Sequence, residues 1–269
     1  MSLLKNTFEK LRSENRAALI SYITGGDPNQ ADCLKILESL FNGGTDIIEI
    51  GIPFSDPMAD GPIIQAASHR SLTNGTNIDL INELIKKFRK KYTIPIVLLS
   101  YYNTILHYGV TTFFKNISNV GVDGVIIPDL PVEESLELKK IANKYNVDTI
   151  FLVTPTTPNL RIKKLLNASS GFLYVVSRYG VTGISKSIDA LTSDLITRIN
   201  KYNVNSLPLC VGFGISNKKH VEIISKLNTD GVIIGSALVD IISKNISNID
   251  VILNKLENTV RNFKSATFK

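Results

Sequence analysis

The chain has 269 residues, of which 43% are hydrophobic, so it is long enough for one large α/β barrel or for two small domains. Its formal net charge of +6 comes from Lys and Arg scattered over predicted helices without interleaved aromatic residues, which argues against nucleic-acid binding. The sequence has no run of about 18 apolar residues and no signal-peptide core, so we expect neither a membrane protein nor a secreted one. Its many Ile, Lys and Asn residues indicate an AT-rich genome, so we expect the cytoplasm, or the plastid stroma if the gene is plastid-encoded.

The cysteines and histidines predict neither a disulfide nor a metal site. Cys33 and Cys210 lie far apart in the sequence, each beside apolar residues, and are expected to be reduced core residues. His69, His107 and His220 share no metal-ligand spacing. We therefore expect no metal in this chain.

The first predicted elements are a helix and a buried strand. In residues 2–14 the apolar side chains recur at helical spacing, which predicts an amphipathic helix across one end of the domain. Residues 17–24 have the apolar, β-branched composition of a buried strand, and the Gly-Gly-Asp-Pro turn at 25–28 ends it. A second helix is predicted around residues 34–40.

Glu49 interrupts the next predicted strand, an apolar run at 46–51, close to its carboxyl end. An ionised carboxylate that is buried without a partner is costly, so the group either pairs with a donor or keeps its proton through a raised pKa. A raised pKa suits general acid–base catalysis, which makes Glu49 the first catalytic candidate. The alternative is a structural Glu paired with a nearby Arg or Lys.

The loop after this strand favours the catalytic interpretation. Gly51 permits a sharp turn, and Pro53 and Pro57 restrict the backbone that follows. Asp56 and Asp60 add two carboxylates within the same short segment. Several carboxylates on one stiff loop indicate chemistry.

Strands and helices then alternate to the end of the chain. The strand at 94–99 leads into a Ser-Tyr-Tyr-Asn run whose hydroxyls and amide could contact a ligand. Eight βα units in about 250 residues predict one (β/α)8 TIM barrel domain over residues 1–269 with an extra N-terminal helix. A doubly wound open sheet is the alternative. The later strands are predicted at 124–127, 147–153, 172–176, 207–211 and 231–234.

Two glycine-bearing loops at the end of the barrel predict a phosphate site. A Gly-Phe-Gly run at 212–214 follows the seventh strand, and Gly235 and Ser236 stand at the start of the helix after the eighth. The polar segment at 177–186 is expected to be a mobile lid, and its Gly183 could add another amide. Each glycine alone is also compatible with an ordinary tight turn.

The stretch at 48–61, Ile-Glu-Ile-Gly-Ile-Pro-Phe-Ser-Asp-Pro-Met-Ala-Asp-Gly, closely resembles the signature of tryptophan synthase alpha subunits. The order of several unusual residues makes this motif specific, whereas Gly-Phe-Gly alone is weak. The resemblance departs from the usual pattern at the run 99–104 and at Val132. It continues through residues 20–28, 122–131, 154–162, 177–183 and 211–216.

The resemblance implies retro-aldol cleavage of indole-3-glycerol phosphate to indole and glyceraldehyde 3-phosphate, by a carbon–carbon lyase in tryptophan biosynthesis. It implies that Glu49 shuttles protons and that Asp60 accepts the indole N–H and stabilises the positive charge that develops there. Tyr174 matches a position near the substrate, as an assisting hydroxyl or as a core tyrosine. Thr182 matches a lid position that orients Asp60. The implied phosphate-binding residues are Gly183, Phe213, Gly214, Gly235 and Ser236.

The resemblance also implies a partner. Family members pair with a beta subunit that carries pyridoxal phosphate and receives indole through a tunnel, in a tetramer of two alpha and two beta subunits. No cofactor is expected in the present chain. The residues implied to face the partner are Pro53, Asp56, Pro57 and Asp129.

Two other functions share some of these features. A sugar-phosphate isomerase or epimerase would have the same phosphate loops, but it would not need the acidic loop. A catalytically weak subunit whose main task is to activate a partner would keep the partner-facing loops. Stimulation of a beta subunit by a Glu49→Gln protein would separate that binding role from chemistry.

Overall fold

Parallel strands rich in Ile, Val and Leu form the centre of the computed structural model, which describes residues 2–177, 190–212 and 214–269. Every strand pair in this part of the chain is parallel, as expected when helices connect successive strands. The strands are β1 (Ala18–Thr24), β2 (Ile47–Gly51), β3 (Ile96–Leu99), β4 (Gly124–Ile126), β5 (Asp148–Ile150), β6 (Leu152–Val153), β7 (Leu173–Val176), β8 (Leu209–Gly212) and β9 (Gly231–Ile234).

The sheet closes on itself between β5 and β6. Its strand order runs from β5 through β4, β3, β2, β1, β9, β8 and β7 to β6, and Phe151 is the single residue between the two end strands. The Tyr174 amide donates to the Phe151 carbonyl at 2.9 Å. The prediction of a TIM barrel is confirmed, whereas the single strand predicted at 147–153 is wrong in detail. Pairing with β4 ends at Ile150 and pairing with β7 begins at Leu152, because tilted barrel strands meet their neighbours at staggered positions.

Helices cover the outside of the barrel. Two of them were not predicted: the short α5, which lacks room for a clear apolar period, and α12, whose buried Ile252, Leu256, Val260 and Phe263 follow helical spacing. The described helices are α1 (Leu3–Ser13), α2 (Gln30–Asn42), α3 (Pro62–Thr73), α4 (Ile78–Arg89), α5 (Tyr102–Tyr108), α6 (Val110–Asn119), α7 (Leu136–Lys144), α8 (Asn159–Ala168), α9 (Ala190–Asn200), α10 (Lys218–Ser225), α11 (Ser236–Lys244) and α12 (Ile249–Lys264).

The N-terminal helix closes the amino-terminal end of the barrel, as predicted. Leu4, Phe8 and Leu11 of α1 are buried in the cluster that fills the barrel interior. Ser2, just before α1, donates to Asp148 at the start of β5 at 2.8 Å. The opposite, carboxyl end of the strands is therefore the end that stays open for a ligand.

An arginine ion pair also stabilises the amino-terminal end. Arg89, the last residue of α4, donates to Asp123 at 2.8 Å and to the Gly121 carbonyl at 2.7 Å. Asp123 directly precedes β4 and also accepts the Ile96 amide of β3. This pair lies on the side of the barrel away from the open end.

Cys33 and Cys210 are free and buried, as predicted. Within the described residues, no helix is long and apolar enough to cross a membrane. The same residues contain no group of three or more His, Cys, Asp and Glu side chains that could hold a metal ion.

Candidate active site

Glu49 lies inside the barrel near the carboxyl end of β2. Its register neighbours are Tyr22 on β1 and Val97 on β3. Only 1% of Glu49 is exposed, and its Oε2 has no hydrogen-bond partner among the described residues. Burial, reinforced by the charge of Asp60, raises the pKa of Glu49 to about 8. In the described part of the chain, no Arg or Lys forms an ion pair with Glu49, so the alternative of a structural ion pair is not supported.

Asp60 lies at the end of the acidic loop and is held by Tyr101, the residue two positions after β3. The Tyr101 hydroxyl donates to Asp60 Oδ2 at 3.0 Å and accepts the Ala59 amide at 3.0 Å. Phe54 stacks on the Tyr101 ring with 5.0 Å between centroids. Burial raises the pKa of Asp60 to about 6, although the Tyr101 hydrogen bond opposes this shift. One phenol thus binds both ends of the acidic loop.

The role of Tyr101 was missed by sequence reasoning. The Ser-Tyr-Tyr-Asn run was predicted to offer hydroxyls and an amide to a ligand, and the structure shows that the Tyr101 hydroxyl contacts Asp60. Its position just beyond the carboxyl end of a barrel strand was the available signal. No local pattern could indicate its partner, because Asp60 precedes it by 41 residues.

Two further tyrosines project into the barrel beside the carboxylates. Tyr174 on β7 is 5% exposed. Its hydroxyl lies only 2.3 Å from the position that a Cβ on residue 212 would occupy, so a side chain larger than that of Gly212 would clash with it. Tyr22 on β1 has the same relation to Gly51. Burial, with the charges of the nearby carboxylates, raises the pKa of both phenols, so both stay protonated at neutral pH. The glycines leave the space that these rings occupy.

These side chains surround a cavity of about 230 Å³ at the carboxyl end of the strands. Glu49 and Asp60 lie on its wall, and Gly214, Gly235 and Ser236 contribute to the same lining. The structure therefore brings the predicted acid–base residues and part of the predicted phosphate site into one cavity. The apolar part of the lining includes Pro62, Ile63, Ile64, Leu99, Ile215 and Ile233.

The described residues of the predicted phosphate site lie in two backbone structures, the turn at Gly214 and the start of α11. Gly214 has φ of +71°, a left-handed conformation that favours glycine. Gly235 is the N-cap of α11, and Ser236 is its first residue. The first turn of a helix presents N–H groups and a positive dipole end to an anion. The predicted residues Thr182, Gly183 and Phe213 lie outside the described residues.

The residues predicted to face a partner divide into two groups. Pro53 and Pro57 are buried in the chain itself, whereas Asp56 and Asp129 are exposed. Asp129 Oδ1 accepts the Tyr102 amide at 2.8 Å, which joins the loop after β4 to the start of α5. The prolines therefore stiffen the acidic loop from within, and the carboxylates lie on its outer surface.

Comparisons with known proteins agree on one family. The model of the tryptophan synthase alpha chain family matches residues 8–268. The tryptophan synthase alpha chain of Arabidopsis thaliana is 43% identical, over 98% of this chain and 94% of its own. The solved structure of tryptophan synthase subunit alpha from Legionella pneumophila superposes with a TM-score of 0.88 at 31% identity, and the match covers 99% of this chain and 98% of that one.

A chain in the solved structure of the tryptophan synthase complex from Pyrococcus furiosus superposes with a TM-score of 0.83 at 36% identity. This match covers 93% of the present chain and 98% of that chain. The family model matches nearly the whole sequence, and the fold agrees with the solved structures over nearly the same length. The chain therefore belongs to the tryptophan synthase alpha chain family.

Proposed function

We propose that this alpha chain cleaves indole-3-glycerol phosphate into indole and glyceraldehyde 3-phosphate, with Glu49 and Asp60 as its catalytic pair. Membership in the family gives the chain its role in tryptophan biosynthesis and the lyase activity of the alpha reaction. The observation that carries the assignment of the pair is the burial of Glu49, unpartnered at Oε2 among the described residues, in the same cavity as Asp60. We further propose that residues 1–269 form one barrel domain.

The reaction breaks the bond between C3 of the indole ring and the glycerol chain. With a pKa of about 8, Glu49 holds a proton at neutral pH and donates it to C3, which leaves positive charge at the ring nitrogen. Asp60, with a pKa of about 6, is ionised at that pH; it accepts the ring N–H and stabilises the charge.

The Glu49 carboxylate then takes the proton of the chain hydroxyl. The aldehyde C=O forms as the C–C bond breaks, and the electron pair of that bond returns to the ring and neutralises the nitrogen. Glu49 ends the cycle protonated, as it began. Tyr174 is assigned an assisting hydroxyl beside the substrate, because it is protonated and lines the cavity.

The phosphate is assigned to the glycine-rich end of the cavity. Gly214, Gly235 and Ser236 support this assignment by their place in the lining and at the start of α11. By resemblance, Phe213 and Gly183 complete the site. By resemblance, Thr182 is proposed to orient Asp60.

A beta subunit is the proposed partner, since the Pyrococcus furiosus relative was solved as a tryptophan synthase complex. The proposed assembly holds two copies of each subunit. Pyridoxal phosphate belongs to the partner in this proposal, and this chain binds no cofactor of its own. The exposed Asp56 and Asp129 are proposed to face the partner, with the buried Pro53 and Pro57 shaping the loop beneath.

The test is release of indole from indole-3-glycerol phosphate by the purified chain, with and without a beta subunit. Wild type should release indole faster when the partner is added, and Glu49→Gln should lose nearly all activity because the amide cannot carry the proton. Glu83→Gln, at an exposed position of α4, is the matched control and should behave as wild type. No indole from wild type with a cognate partner present would contradict the proposed substrate.

A further inference from the structure

Arg70 joins three elements behind the cavity. It lies in the last turn of α3, and its Nε and Nη2 donate to the two carboxylate oxygens of Asp27, each at 2.9 Å. Nη2 also donates to the Ser243 hydroxyl of α11 at 2.8 Å. The Asp27 side chain is 1% exposed and belongs to the turn between β1 and α2. A bidentate guanidinium–carboxylate pair of this kind fixes orientation as well as distance.

The turn that holds Asp27 is itself bound to α3. Ser71 donates to the Gly25 carbonyl and Asn74 donates to the Pro28 carbonyl, each at 2.6 Å. The carboxyl end of α3 is therefore held to this turn by two further hydrogen bonds besides the Arg70–Asp27 pair. The pair fixes α3 to the barrel itself.

Helix α3 carries Asp60 at its other end. The helix begins at Pro62, two residues after Asp60, and the Gln65 side chain donates to the Asp60 carbonyl at 2.9 Å. Ala67 of α3 is buried in the same interior cluster as Val239 of α11. Any tilt of α3 about its Arg70 end would move Asp60 relative to the cavity.

Helix α11 carries the proposed phosphate site at its start. Ser236 and Gly235 line the cavity, and Ser243 lies two turns farther along the same helix. Arg70 thus links the two helices whose amino-terminal residues line the cavity, because it belongs to α3 and contacts α11. The substrate needs its phosphate and its reacting ring held at one separation, because misplacement of a reacting group costs rate steeply.

We propose that Arg70 is a positioning residue that fixes the separation between Asp60 and the phosphate-binding end of α11, through its joint contacts with Asp27 and Ser243. This role rests on the proposed function. In this role Arg70 does not contact the substrate itself. The Ser243 contact sets the position of α11, and the Asp27 contact sets the position of α3.

Two variants separate the two contacts. Ser243→Ala removes the contact to α11 and leaves the Arg70–Asp27 pair, so the KM for indole-3-glycerol phosphate and the Ki of inorganic phosphate should rise about three- to tenfold, with kcat little changed. Arg70→Lys keeps the charge but loses the fork, so KM and Ki should rise and kcat should fall as well. Inorganic phosphate is the probe because it reports the anion site without the reaction.

Arg89→Lys is the matched control for the loss of a partly buried arginine fork. Its pair with Asp123 lies at the amino-terminal end of the barrel, and its side chain is 16% exposed against 25% for Arg70. We expect a comparable fall in Tm with unchanged KM, Ki and kcat.

A wild-type chain that neither releases indole nor binds phosphate would overturn the proposed function together with this role. A working wild type, with Arg70→Lys and Ser243→Ala differing from Arg89→Lys in Tm alone, would overturn the role of Arg70 alone.

Discussion

At the scale of single residues, the site depends on two carboxylates whose pKa values burial raises to different extents. Glu49 is more fully buried than Asp60, and its Oε2 has no hydrogen-bond partner among the described residues, whereas Asp60 accepts a hydrogen bond from Tyr101. Their pKa values of about 8 and about 6 leave an interval in which one is protonated and the other ionised. Because the folded chain raises the pKa of Glu49, the stability that its protonated form contributes is lost as the pH rises toward 8.

The residue-scale prediction concerns Tyr101. Tyr101→Phe removes the donor that holds the pKa of Asp60 down, so that pKa should rise above about 6. Ionised Asp60 is needed for the reaction, so activity is lost as the pH falls through its pKa. The acid limb of the profile of kcat/KM against pH should therefore move to higher pH in the variant.

Tyr108→Phe is the control for this prediction. The Tyr108 hydroxyl also donates to a carboxylate, that of Asp79, but it does so outside the cavity. Its profile should match that of wild type. An acid limb that stays in place in Tyr101→Phe, or moves to lower pH, would contradict the role of Tyr101 in setting the pKa of Asp60.

At the scale of elements, the start of α11 has opposite requirements for stability and for binding. A negative charge in the first turn of a helix stabilises it by about 0.3–1 kcal/mol through the helix dipole. The same charge would repel a phosphate bound there. A negative charge introduced there can therefore test phosphate binding at the start of α11 without destabilising the fold.

Ser236→Asp is the element-scale prediction. We expect the KM for indole-3-glycerol phosphate to rise at least tenfold while Tm stays the same or increases, because the dipole favours the new carboxylate and the substrate phosphate does not. Steady-state kinetics and a thermal melt measure the two effects. Ser236→Ala, which adds no charge, should change KM much less. An unchanged KM in Ser236→Asp would rule out a phosphate at this helix end.

At the scale of the whole molecule, exposed apolar side chains mark the carboxyl end of the barrel. Leu106 in α5 is 55% exposed and Met58 in the acidic loop is 85% exposed. Leu136 and Leu160, at the starts of α7 and α8, are 63% and 75% exposed. These residues follow neighbouring strands from β2 to β6, so they share one end of the barrel with Asp56 and Asp129. Several exposed apolar side chains at one end of a protein are typical of protein–protein contact.

The prediction at this scale is that Leu106→Asp weakens binding of a beta subunit at least tenfold, because a charge would be buried in the contact. The Tm of the Leu106→Asp variant and its activity without the partner should stay near those of wild type, because Leu106 lies outside the cavity. Val204→Asp is the control: Val204 is 85% exposed but lies between α9 and β8, at the opposite end of the barrel. Calorimetric titration compares the two. Equal affinity in both variants would place the contact elsewhere.

The sequence by itself determined the barrel, the N-terminal helix and the position of Glu49. These follow from local patterns: apolar runs alternating with helical periods, and a carboxylate that interrupts a buried strand. The candidate phosphate residues were predicted in the same way, because a glycine that stands directly before a predicted helix can be recognised from the local sequence.

The tertiary structure alone decided which side chains meet. Tyr101 contacts Asp60 across 41 residues, Arg70 contacts Asp27 across 43, and Arg70 contacts Ser243 across 173. Nothing in the sequence near Asp60 or Asp27 indicates these partners, because closure of the barrel brings together residues that the chain keeps far apart. The split of the fifth predicted strand into β5 and β6 has the same origin, since staggered pairing is a property of the closed sheet rather than of any segment.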